Sequence, residues 1–242
     1  MAKATAYDAH IATWHWFSRD HALTATLLSR RCQDLEANPA APSEEEEARG
    51  LTWSESQAAE HRAYSFAAIV AAASFLEAAL NELLESAEHE NVEVGGGRGR
   101  LASTERVALV TLRSKWGDRG PAPVGKAKEI LALFGKSAFD EDSAPYKPAQ
   151  TLGRLRNRLV HYRPAWRVAG VGRGDDWFAT ELEPLNLEQN PFTAPNNVYF
   201  PDRALGYGLT SWAWDAAFGF AEAFFARIGV DPGYAELRPQ LT

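Results

Sequence analysis

Sulfur is nearly absent from this chain, which has one cysteine, Cys32, and one methionine in 242 residues. A single thiol cannot close an intrachain disulfide, so stability has to come from a hydrophobic core. Positive charge is also scarce, with 25 Lys and Arg against 32 Asp and Glu and a net charge of −7. That balance argues against general adhesion to nucleic acid or an anionic membrane, and any polyanion must be met by a local basic patch. No apolar run approaches the roughly 20 residues that cross a bilayer, so no membrane partner is expected. The first residues, with Asp8 and His10 and no small-residue cleavage site after an apolar core, do not read as a signal peptide, and the cytoplasm is the expected compartment.

Several chemistries lack their residues as well. His10, His15 and His21 share a predicted helix, but their spacings of five and six do not stack two imidazoles on one face as a helical zinc pair requires. Gly95-Gly96-Gly97-Arg98-Gly99-Arg100 has no Lys-Ser/Thr ending and no strand before it, so it reads as a flexible linker and not a phosphate loop. No nucleophile elbow supports Ser-His-Asp hydrolysis. Neither a metal nor an organic cofactor is expected.

What is present is helical periodicity. With 45% hydrophobic residues the chain can bury a substantial core, and residues 1–242 are expected to form one all-α domain. Tyr7 to Asn38 reads as a long helix carrying Ile11, Trp14, Ser18, His21, Ala25, Leu28, Cys32 and Leu35 on one face, with Cys32 a small core residue. Ser43 to Gly50 reads as an acidic loop. Thr52-Trp53-Ser54-Glu55 offers a capping box, opening a helix to about Glu88 whose stripe is Phe66, Ile69, Val70, Ala73, Leu80 and Leu84. Glu77 falls inside that stripe and Asn81 one turn along its edge, where polar groups need partners unless Glu77 only snorkels to water from the edge.

Further helices are expected from Ser103 or Thr104 to Trp116, stopped by Gly117, and over Lys126 to Phe134. Ala165 to Val198 is rich in Gly, Pro, Asn and Asp and reads as an irregular excursion, with Trp177 to Thr180 a short strand. Asp202 to Gly229 is apolar on all sides, through Tyr207, Leu209, Trp212, Trp214, Phe218, Phe220, Ala221, Phe224, Phe225 and Ile228. Such a helix is buried in the bundle or at a subunit interface. The bundle core is thus placed at about 52–164 and 202–229, with 165–201 inserted.

The basic patch missing from the whole appears in Leu152 to Arg167, where Arg154, Arg156, Arg158, Arg163 and Arg167 occur without one acidic residue. Proline 164 biases Arg163 away from helical geometry, so the helix through this stretch should end near Tyr162. Within it lies Arg156-Asn157-Arg158-Leu159-Val160-His161. An Arg-polar-x-x-x-His run closing an amphipathic helix resembles the signature of the HEPN superfamily (higher eukaryotes and prokaryotes nucleotide-binding). Ser74-Phe75-Leu76-Glu77-Ala78-Ala79-Leu80-Asn81-Glu82-Leu83 is similar to the first core helix of many of its members. The likeness covers mainly Tyr64 to Arg163 and the aromatic last helix.

That resemblance implies an all-helical, homodimeric, metal-independent endoribonuclease of the toxin or defence type, with RNA as substrate and an antitoxin as a conceivable partner. It implies catalytic roles for Arg156, Asn157 and His161, support from Glu77 and Asn81, and RNA contacts from Arg154, Arg158, Tyr162 and Arg163. A non-catalytic HEPN-like module that binds a nucleotide, RNA or protein through the same cleft is the alternative. The residue chemistry suits cleavage: histidine can act as base and acid with its reference pKa near about 6.5, and arginine holds phosphate oxygens bidentately while staying charged.

Angular placement on the helix sets Leu152, Leu155 and Leu159 on the core side, with Asn157 and His161 nearly opposite. Arg156 lies at the edge of the leucine stripe, on the far side from His161. Packing this stripe on that of Glu77 predicts a Glu77–Arg156 ion pair. Such a pair can aim the guanidinium at a cleft, or merely lock two helices while His161 closes its own.

Overall fold

In the computed structural model, which describes residues 15–89, 101–117, 120–161 and 177–241, the longest element is the axis of the molecule. This is α3 (Glu55–Glu88), whose buried face runs through Ile69, Ala72, Phe75, Leu76, Ala79, Leu80, Leu83 and Leu84. Around it pack α1 (Phe17–Ala37), α4 (Ser103–Trp116), α5 (Pro123–Leu133), α6 (Tyr146–Val160) and α8 (Tyr207–Ile228). Short helices α2 (Glu44–Ala48), α7 (Trp177–Glu181) and α9 (Arg238–Leu241) complete the order in register between or after them. The fold is all-α, with no strand among the described residues.

The most extensive contact joins α1 to α3. Small inward residues on α1, Ser18, Ala22, Ala25 and Cys32, face an alanine-rich side of α3, so the two backbones approach closely, while Ser29 meets Thr210 farther along the chain. Polar ties fix them antiparallel. Glu82 accepts from the Ser18 backbone at 2.7 Å at one end, and His61 meets Glu36 at 2.6 Å at the other. Burial raises the Glu82 carboxyl above its ordinary value, an effect that the Ser18 hydrogen bonds oppose. Cys32 is buried as expected, beside Ser65, and burial pushes its thiol up to about 11.

The Glu36 carboxylate also accepts the Tyr207 backbone N–H at 2.6 Å, satisfying a donor in the first turn of α8. That helix lies within the bundle against α3, α1 and α6, which accounts for its all-round apolarity. Phe75 sits in its aromatic cluster, 5.1 Å from Trp214 and 4.8 Å from Tyr234 between ring centroids. Gly208 is required by close approach, since a Cβ there would lie 2.5 Å from the Glu188 carbonyl oxygen. Gly229 closes the helix at φ 73°.

Several expectations are corrected. The acidic Ser43–Gly50 loop contains α2, whose capping box is formed by Ser43 and Glu46. The second Glu46 oxygen accepts the Glu55 backbone N–H at 2.8 Å, while the Glu55 carboxylate pairs with Arg49. The Thr52–Glu55 box is therefore not formed, and α3 starts at Glu55. Phe66 is 40% exposed and the core face of α3 is rotated toward Phe75 and Leu76. On α4 the buried anchors are Leu109 and Leu112, whereas Val107 points outward.

The expected strand over Trp177 to Thr180 is the helix α7, anchored by Phe178 stacked on Phe200 at 3.6 Å between centroids. By length and composition α3 does pass as apolar enough to cross a membrane, contrary to the sequence expectation. In this fold half of that apolar window is buried, with α1, α8 and α4 packed on the helix. The stretches 1–14 and 90–100, with Ile11, Trp14 and the glycine-rich run, lie outside the described residues.

Candidate functional site

The motif helix α6 is amphipathic for a local reason: Tyr146, Ala149, Leu152, Leu155 and Leu159 recur every three or four residues and are all buried. Its core side packs on α8, α3 and α5. The last helical residue is Val160, and His161 is the C-cap, its backbone N–H donating to the Asn157 carbonyl at 2.9 Å. The His161 side chain is exposed, as are Asn157, Arg154 and Arg158, while Arg156 is half-buried. Helical geometry sets Arg154, Asn157, Arg158 and His161 on one outward face, opposite the leucines.

Arg156 and Asn157 are brought together. Arg156 Nη1 donates to Asn157 Oδ1 at 3.0 Å. The guanidinium is thus drawn round from the leucine edge toward the outward face. Asn157 ties the motif internally, through its carbonyl to His161 and through its side chain to Arg156.

The expected Glu77–Arg156 pair is not formed. Glu77 instead lies 3.5 Å from the ammonium of Lys126, on the neighbouring α5, which donates to Asn81 Oδ1 at 2.7 Å. The Lys126 side chain is only 9% exposed and that of Glu77 is 46% exposed. Lys126 reaches the two polar positions of α3 from the side, with its stem beside Trp116 and Gly120. Glu77 and Asn81 therefore do have a common partner, but it belongs to α5 and not to the motif. The carboxylate sits at the edge of its stripe, where water still reaches it.

Arginine is concentrated on this helix, with Arg154, Arg156 and Arg158 at alternate positions within five residues. Elsewhere four arginines meet carboxylates, Arg113 with Glu85 and Glu88, Arg238 with Glu222, Arg49 with Glu55 and Arg19 with Glu236, while Arg106 and Arg227 are held by backbone carbonyls and Arg203 by the Gln189 amide. Among the described residues, Arg154, Arg156 and Arg158 pair with no carboxylate. Arg158 has another kind of neighbour, its guanidinium lying 4.8 Å from the centroid of the Trp177 ring. Tyr162 and Arg163 lie outside the described residues. No group of three His, Cys, Asp or Glu side chains able to hold a metal occurs among the described residues.

Two residues of this region escaped the sequence reading. Lys126 stood at an expected helix start and gave no sign of burial; a lysine on the apolar side beside Val124, Ala127 and Ile130 was the available signal. Trp177 was read as part of a strand, and its relation to Arg158 depends on how the chain returns after the motif. No family model, curated protein or solved structure matches this chain.

Proposed function

We propose that the protein is a metal-independent endoribonuclease of the HEPN type, acting through the outward face of α6. What supports the reading is one feature above all: three arginines without carboxylate partners among the described residues stand beside an exposed histidine, on a protein of net charge −7. Unneutralised guanidinium groups favour a polyanion, and the imidazole supplies proton transfer at neutral pH.

In the proposed reaction His161 takes the proton of a ribose 2′-hydroxyl. The 2′-oxygen attacks phosphorus, the bond to the 5′-oxygen breaks, and a 2′,3′-cyclic phosphate remains. The departing 5′-oxygen takes up a proton from an imidazolium. Arg156, held by Asn157, faces the charge that builds on the phosphate oxygens. In a dimer with two α6 faces across one cleft, one imidazole serves as base and the other as acid.

The test uses the purified full chain and mixed RNA in EDTA. The expected products carry 2′,3′-cyclic phosphate ends, and DNA of the same sequence stays intact because it has no 2′-hydroxyl. RNA that is bound but never cut would place the protein among non-catalytic binding modules.

A further inference from the structure

The two aromatic residues that open α7 are used differently. Phe178 is 3% exposed and stacks on Phe200 with the rings 3° from parallel, which fixes the short helix to the core. Trp177 meets Phe178 edge-on at 77° and remains half-buried, under the guanidinium of exposed Arg158. Part of the indole packs against the core and part is left open. Here a flat indole is kept partly open beside the outward face of the motif helix.

The charge on that surface is not neutralised within the described residues, since Arg158 pairs with no carboxylate there. Arg154, one helical turn before Arg158, lies on the same face. His161 is three residues beyond Arg158, again on that face. The result is an aromatic plane, a guanidinium stacked on it and a second guanidinium nearby. A nucleotide needs the same three elements: a π-surface for its base and cations for the phosphates on either side.

We infer that Trp177 and Arg158 form a nucleobase subsite, in which the base of a nucleotide flanking the scissile phosphate stacks on the indole–guanidinium surface while Arg154 grips the adjoining phosphate. The inference rests on the ribonuclease reading for the cleavage itself, but the subsite is a claim about binding. Because any base has a π-face, the subsite holds single-stranded RNA with little sequence discrimination, and a paired base in a duplex does not reach it.

The experiment measures binding of the full chain to a short 2′-O-methyl oligoadenylate, which lacks the attacking hydroxyl, and to the same backbone with abasic residues. Wild type is expected to bind the base-bearing probe about tenfold more tightly, the scale of one stacked base. Trp177→Leu should erase that difference while leaving abasic binding unchanged, and Trp177→Phe should keep most of it. Arg154→Ala should weaken both probes alike. If Trp177→Leu does not fold, the wild-type ratio and the Trp177→Phe variant decide.

Equal wild-type affinity for the two probes, or a base preference that survives Trp177→Leu, overturns the subsite. Base-dependent binding lost in Trp177→Leu without any RNA cleavage supports the subsite and removes the ribonuclease reading. Cleavage without base-dependent binding does the reverse.

Discussion

Arg156 Nη1 donates to Oδ1 of Asn157, the next residue in the chain, at 3.0 Å. This neighbour contact turns a guanidinium from the edge of the leucine stripe toward the face that carries His161. It leaves Arg156 its charge, because a neutral amide accepts the bond.

Asn157→Asp should therefore be more damaging than its small change in size suggests. A carboxylate in that place neutralises Arg156 and removes the amide N–H donors. Binding of non-cleavable RNA should weaken by about 2 kcal/mol, the scale of a hydrogen bond to a charged group, and its salt dependence should fall by roughly one phosphate contact. Titrations at several salt concentrations check both. Affinity and slope equal to wild type would separate Asn157 and Arg156 from substrate.

The Glu77 cluster makes a second prediction. Since Glu77 meets Lys126 and its side chain is 46% exposed, their coupling should be modest, about 0.5–1 kcal/mol. The double-mutant cycle of Glu77→Ala with Arg156→Met should be additive within about 0.5 kcal/mol, as for residues that do not touch. Denaturant unfolding of the two cycles distinguishes the partners. Strong coupling to Arg156 would restore the ion pair that the fold does not form.

Glu82 gives a pH dependence. Burial raises its folded carboxyl above the ordinary 4.5, so the folded state binds this proton more tightly than the unfolded chain. The associated stability is present in full below the unfolded value and is lost as pH rises through the folded one. Relative to Glu82→Gln, wild type should gain stability as pH falls from neutrality through that window. Thermal melts of both proteins across the range test the sign. A loss of wild-type stability relative to Glu82→Gln on acidification would mean the carboxylate is favoured in the fold.

Dimerisation is the fourth expectation, through the face of Asn157 and His161, with Val160 45% exposed at its end. Light scattering should give about twice the 26.6 kDa chain mass. A strict monomer at micromolar concentration that still cleaves RNA removes the two-imidazole arrangement.

The all-α class, the C-terminal ends of α3 and α4 and the buried leucines of α6 could be read from the sequence because each rests on local periodicity or a local stop. Leu152, Leu155 and Leu159 point where their spacing requires, and Gly117 and Gly229 terminate their helices. Partner identity was not legible in the same way. Glu77 was expected to need a cation, yet whether Arg156 or Lys126 supplied it depended on the relative placement of α3, α5 and α6. The Thr52 cap lost to Glu46 for a similar reason: a carboxylate from a separate helix arrived first at the Glu55 N–H. Trp177 to Thr180 has strand-forming residues, but Phe178 stacking on Phe200 fixes it as a helical turn. The role of the motif itself was carried by a resemblance, and what the fold adds is its setting: an outward face, unneutralised arginines and an exposed histidine.

The most direct measurement is the single-turnover cleavage rate of RNA in EDTA, for wild type and for His161→Ala purified identically. The account predicts cleavage by wild type and a loss of at least about a hundredfold in the variant, the scale of general acid–base catalysis, with RNA affinity retained. Equal rates for the two proteins, or no cleavage by either, would contradict it.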